Sequence, residues 1–118
     1  MDMVEILQYE TEEGDCPFEV WFNDLDVQAA LKVTTAIARM EAGNFGDVKS
    51  VGQGVSERRI TFGPGYRLYF GRDGDTLVIL LTGGTKKRQQ KDIENAHAYW
   101  SDYQERKRKE EENDGTHS

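Results

Sequence analysis

A chain of 118 residues with five Phe, five Tyr and two Trp supports one domain, and folding at this length buries roughly two-thirds of the unfolded surface. No run approaches the ~20 apolar residues of a membrane span, and the N-terminus lacks a basic-then-apolar leader pattern. The single cysteine, Cys16, excludes an intramolecular disulfide framework, so a cytoplasmic protein with no membrane partner is expected.

Charge is unevenly spread beneath the formal net −7: residues 1–50 hold 11 acidic and 3 basic side chains, whereas residues 51–109 hold 7 acidic and 12 basic. The second half can offer a polyanion surface, or it can be a solvated mixed-charge face.

The opening "MVEILQYE" alternates loosely, Val4 and Ile6 on one side and Glu5 on the other, and predicts a short strand. Pro17 suits the first turn of a helix whose stripe is Phe18, Trp21, Phe22 and Leu25, at i, i+3, i+4, i+7. Asp26 can cap a second helix through its carboxylate. That helix runs to about Ala42, burying Ala30, Val33, Ile37 and Met40, with Gly43 as its stop. The two helices are expected to form an αα-hairpin.

"GNFGDVKSVGQG" predicts a glycine-rich connection, followed by the strands "VSERRITF", "YRLYFG" and "TLVILL". Gly63-Pro64-Gly65 joins the first pair and Asp73-Gly74 the second. "GGT" is expected to break the last strand, with Thr85 capping a closing helix striped by Ile93, Ala96, Trp100 and Tyr103. From Gln104 the chain has no apolar face and predicts a fraying helix end and a disordered tail, leaving residues 1–103 as the domain and 104–118 as the tail. The order β-α-α-β-β-β-α implies an α+β fold with a small, mainly antiparallel sheet.

Pairing Phe62 with Tyr66 sets Thr61 opposite Arg67 and Arg59 opposite Tyr69. It gathers Glu57, Arg59, Arg67 and Tyr69 on one face and Ile60, Phe62, Tyr66 and Leu68 on the other. Pairing Arg72 with Asp75 then puts Leu68 against Ile79, Val78 beside Tyr69 and Leu80 beside Arg67. The polar set reads either as an ion pair of Glu57 with an arginine or as a phosphate site. The segment "TKKRQQK" places Lys86, Lys87 and Arg88 in the first turn of the closing helix, where cations oppose the macrodipole; a turn built against local stability suggests use as an anion site. His97 is the one histidine outside the tail and can supply an acid or base near neutral pH, or be a partly buried structural residue. "GGTK" lacks P-loop spacing, and Cys16, His97 and His117 show no metal-ligand spacing, so neither a metal nor a cofactor is expected.

Taken together, "ERRITFGPGYRLYF", "LVILLTGG" and "KKRQQKDIENA" resemble the phage-derived, HigB-like branch of the RelE/ParE toxin superfamily, the addiction-module killer proteins. The resemblance spans about residues 3–103. It implies a RelE-like fold with an N-terminal αα-hairpin and a C-terminal helix. It also implies a type II toxin that cleaves mRNA on the ribosome without a metal, and a small helix-turn-helix antitoxin partner. Arg58 stands where the family usually has an apolar residue. Carried over, Arg59, Arg67, Tyr69 and Lys86 (or Lys87) match the family's motif positions.

Chemistry of that kind needs removal of the 2′-hydroxyl proton, stabilisation of phosphorane charge and protonation of the leaving 5′-oxygen. Arg59 and Arg67 suit the charge, Lys86 the backbone or a proton, Glu57 a base, and Tyr69 orientation or stacking of a base. His97 is a secondary candidate; Lys87, Arg88 and Lys91 are expected phosphate contacts. The alternatives are a non-catalytic or decayed antitoxin-binding module and a ParE-like gyrase inhibitor.

Overall fold

The computed structural model describes residues 3–116. Strand β1 (Glu5–Gln8) leads into helices α1 (Pro17–Asn23) and α2 (Val27–Glu41). Strands β2 (Val48–Ser50), β3 (Val55–Ile60), β4 (Tyr66–Asp73) and β5 (Leu77–Thr85) follow, then a 3₁₀ turn (Lys86–Arg88) and helix α3 (Gln89–Thr116). The five strands form one sheet in the order β1-β5-β4-β3-β2, antiparallel except where β1 runs parallel to β5. The architecture is α+β, with α1 and α2 on one face of the sheet and α3 on the other. Among the described residues no helix is long and apolar enough to cross a membrane.

Local chemistry sets the helices. Pro17 takes the first position of α1, where its missing N–H costs nothing. The Asp26 carboxylate accepts the Ala29 N–H at 2.9 Å, starting α2. Its buried stripe is Ala29, Val33, Ala36 and Met40, one position off the expected Ala30 and Ile37 at two places. α1 packs against β5 and α2 against β3, so each meets the sheet separately rather than closing as the expected αα-hairpin. Beneath them lie Ile60, Tyr66, Leu68, Phe70, Val78 and Leu80. Burying a Leu or Phe side chain of this kind contributes about 1.5–3 kcal/mol. Under α3 a second cluster joins Tyr9, Val55, Tyr69, Ile79, Leu81, Ala96 and Trp100.

The strand register differs from expectation in two instructive ways. Across β3 and β4 the pairs are Ile60 with Tyr66, Arg59 with Arg67 and Glu57 with Tyr69. The connection is five residues long, closed by the Gly65 N–H donating to the Phe62 carbonyl at 3.0 Å, with Gly65 at φ +81°. This is a slip of two positions, so each side chain keeps its expected face. Across β4 and β5 the slip is three, with Phe70 against Leu80, and a bulge at Tyr69/Phe70 adds one more before Tyr69 meets Thr82 and Arg67 meets Gly84. An odd slip exchanges faces: Val78 and Leu80 lie under α1 and α2, while Ile79 joins Tyr69 under α3.

Four elements depart from expectation. The glycine-rich connection contains a strand, β2. The double glycine does not break β5, which runs on to Thr85. Lys86, Lys87 and Arg88 form a 3₁₀ turn ahead of α3, and the Thr85 side chain makes no cap. The segment read as a disordered tail continues α3 through Thr116, tied by Arg108 to Glu105 and to Glu112, each at 2.6 Å. Residues 117 and 118, His117 among them, lie outside the described residues.

Candidate nucleic-acid interface

Alternation along β3 and β4 sends Glu57, Arg59, Arg67 and Tyr69 toward the face that α3 covers, and α3 decides which of them stay reachable. Glu57 and Tyr69 are fully buried, 0% exposed. Gln89, in the first turn of α3, donates its amide to Glu57 Oε2 at 2.9 Å, and the Arg67 Nε lies 3.5 Å from the same oxygen. The Tyr69 hydroxyl has no hydrogen-bond partner. Burial first, then the neighbouring Glu57 charge, hold its pKa well above the ordinary phenol value. Neither Glu57 nor Tyr69 meets solvent, so the expected roles of Glu57 as base and Tyr69 as stacking platform give way to positioning Arg67 from beneath.

Arg67 is itself only 9% exposed, and part of its side chain borders solvent above that buried pair. It lines a groove of about 330 Å³ with Asp47, Arg59, Thr61, Gly65, Tyr66 and Lys86. Backbone pairing draws the walls together: the Lys86 N–H donates to the Gly65 carbonyl at 3.0 Å, joining the β3–β4 connection to the basic turn. An added Cβ on Gly65 would make only ordinary contact with Lys86 Cβ and Arg67 Nη1, so the glycine is needed there for its φ of +81° rather than for space. Arg59 donates to Asp47 Oδ1 at 2.8 Å in a pair that is nearly half exposed. Its hydrogen bond and charge hold the Asp47 carboxyl below the ordinary value of 3.8, so Asp47 is ionised at neutral pH. Lys86, Lys87 and Lys91 are exposed and have no carboxylate partner among the described residues.

Of the expected site residues, Arg59, Arg67 and Lys86 therefore share one groove, underlain by Glu57 and Tyr69. His97 is tied elsewhere: its Nε2 lies 2.9 Å from the Val51 carbonyl, which requires that nitrogen to carry the proton and fastens α3 to the β2–β3 connection. Lys87 and Lys91 lie outside the groove, and Arg88 lines a separate cavity beside Asp92. Three polar residues escaped the sequence reading. Asp47 sits in a loop without periodic signal. Gln89 is one of two adjacent glutamines, and only its half-buried position and its bond to Glu57 mark it out. Asp92 carried a signal, since it precedes Ala96 and Trp100 at helical spacing and so shares their buried face. No group of three or more His, Cys, Asp or Glu among the described residues is arranged to hold a metal ion.

No family model matches the chain. It is similar to an uncharacterized protein of Haemophilus influenzae, with 46% identity over 80 residues that cover 67% of this chain and 81% of that protein.

Proposed function

The chain belongs to the same family as that Haemophilus influenzae protein, and we propose that it is the toxin of a type II toxin–antitoxin pair, a cytoplasmic endoribonuclease of RelE-like fold that cuts mRNA on the ribosome. A small helix-turn-helix antitoxin would neutralise it. One observation carries the reading: Arg59, Arg67 and Lys86 converge on a single groove, with Arg67 braced from below by a buried carboxylate. Three cations around a shallow groove match a phosphodiester, and guanidinium forks suit the non-bridging oxygens of a pentacoordinate phosphorus.

In this reading the substrate's own 2′-hydroxyl attacks the adjacent phosphorus and the bond to the 5′-oxygen breaks, leaving a cyclic phosphate and a 5′-hydroxyl. Asp47 is the carboxylate available to receive the 2′-hydroxyl proton. Held ionised by Arg59, it is a weak base, so charge stabilisation by Arg59 and Arg67 carries most of the rate. Lys86 lines the same groove, where an ammonium can protonate the leaving oxygen.

The same geometry also favours a second reading. Both arginines already have carboxylate partners, as in a toxin-fold module that binds its antitoxin without cutting RNA. Induced expression in bacteria separates the two. The nuclease reading expects growth arrest with mRNA cut inside translated regions, and a loss of cutting of about a hundredfold in Arg59→Ala and Lys86→Ala. Intact mRNA and normal growth with wild type would leave only the binding module; arrest with intact mRNA and damaged DNA would replace both with gyrase poisoning.

A further inference from the structure

We propose that the cavity at the open edge of β5 is a nucleobase pocket, taking a base attached to the phosphate held by Arg67 and Lys86. The assignment rests on the RNA-binding reading above.

The cavity exists because β1 is short. It pairs with β5 only from Leu77 to Leu80, and the last bond is the Tyr9 N–H to the Leu80 carbonyl at 2.9 Å. Beyond that point β5 has no strand on its outer side, and a space of about 680 Å³ opens between α1 and α3. Trp21 of α1 and Tyr99 of α3 stand on its two sides, Tyr99 braced by stacking on Tyr9 at a ring separation of 5.2 Å. Flat rings on both walls suit another flat ring, and base–aromatic stacking tolerates any base.

The polar groups add direction. Asp92 lines this cavity and is 9% exposed, and its Oδ2 is buried without a hydrogen-bond partner. Its Oδ2 is enclosed against Gly84, where an added Cβ would come within 1.9 Å, so the glycine is what lets the carboxylate sit there. A buried carboxylate oxygen without a donor is costly. Burial raises the Asp92 pKa, and the nearby Arg88 only partly offsets this. A base in the cavity can donate to this carboxylate, through the exocyclic amino group of adenine, cytosine or guanine or the N3–H of uracil, and a purine adds the larger stacking surface. Thr82 and Asn95 offer further hydrogen bonds beside it, and Arg88 places a cation at the same wall.

Position links the cavity to the phosphate groove. Its floor residues Thr82 and Gly84 are the cross-strand partners of Tyr69 and Arg67. The two sites are thus built on neighbouring strands, whose backbones run ~4.8 Å apart.

The test is calorimetric titration of the full chain with a 2′-deoxy diadenosine dinucleotide, which cannot be cut. Each adenine in turn is replaced by uracil or by an abasic sugar. At one position adenine is expected to bind at least about tenfold more tightly than the abasic sugar, and more tightly than uracil. In Asp92→Leu and Tyr99→Ala, chosen as alternatives should either fold poorly, the adenine-to-abasic ratio should fall at least about threefold. An adenine no better than the abasic sugar at both positions, or a ratio unchanged in both variants, overturns the pocket while leaving phosphate binding standing. Base-dependent binding by a chain that never cuts the ribo-dinucleotide keeps the pocket and sinks the nuclease reading instead.

Discussion

Arg59 and Arg67 stand directly opposite one another on β3 and β4, and each is answered by a different carboxylate. Like charges paired across strands repel, so this arrangement persists only if both are neutralised. Arg67 is neutralised from inside by Glu57, whose side chain is wholly buried; Arg59 is neutralised from outside by Asp47, in a pair open to water. The two arginines therefore differ: Arg67 is tied into the core as well as the groove, Arg59 to the groove alone.

Arg67→Ala is accordingly a poor probe of catalysis alone. It strands the Glu57 charge, and removing one partner of a buried pair costs about 3–5 kcal/mol. Replacing both partners at once, Arg67→Met with Glu57→Leu, is expected to recover most of that loss in urea unfolding while leaving RNA cleavage absent. Recovery of cleavage along with stability would show that Arg67 does not touch the substrate.

Asp47→Ala tests the outer pair. Since both partners are well exposed, the unfolding midpoint should barely move. Freed from Asp47, Arg59 can turn fully to a phosphate. Binding of a short single-stranded RNA should strengthen, and its logarithmic salt dependence should steepen by about 0.7 for the one added contact. Weaker RNA binding at every salt concentration would show that Asp47 does not hold Arg59 back from the phosphate.

The shared face of Glu57, Arg59, Arg67 and Tyr69 was legible because alternation survives a slip of two, although the connection is longer than glycine and proline suggested. The faces of β5 were not, because a three-residue slip and a bulge at Tyr69/Phe70 depend on packing under α3, which no local pattern encodes. Burial of Glu57 and Tyr69 was hidden for the same reason, since only α3 closes over them. β2 was missed because three residues among glycines carry no period. The double glycine was read as a break, yet Trp21 and Asp92 approach β5 from opposite sides where side chains at Gly83 and Gly84 would stand. Residues 104–116 lack an apolar stripe but are rich in Glu, Lys and Arg, good helix formers held by pairs three and four apart.

That distal half of α3 is fastened by two tyrosine–carboxylate–cation groups. Tyr9 donates to Asp102 at 2.6 Å, with Arg106 on the same carboxylate, and Tyr103 donates to Asp73 at 2.9 Å, with Lys107 bonded there too. Both phenols are pushed up to about 12, by burial first and then by these hydrogen bonds. Lys107 and Tyr103 hold the Asp73 carboxyl below its ordinary 3.8, so its contribution is present above that value and is lost as pH falls through the lowered one. Amide exchange in residues 103–113 should therefore quicken in Asp102→Ala at neutral pH, and in wild type only below about pH 4. A chain cut after Tyr103 should unfold more easily than the full chain; equal stability would show that the two fastenings contribute nothing.

Asp92 should show the opposite pH behaviour to Asp73. Its folded pKa is raised above 3.8, chiefly by burial, so the folded chain holds that proton more tightly than the unfolded chain does. The resulting stability is fully present below the unfolded value and is lost as pH rises through the folded one. Asp92→Asn keeps the shape and removes the charge. It should exceed wild type in urea midpoint at pH 7, with the difference shrinking as pH falls toward 4 and vanishing below it. Taking the difference between the two proteins cancels every other carboxylate that titrates in that range. A variant less stable than wild type at pH 7 would mean that the ionised carboxylate is held by a favourable contact, which would also remove the reason to expect a donor group of a ligand beside it.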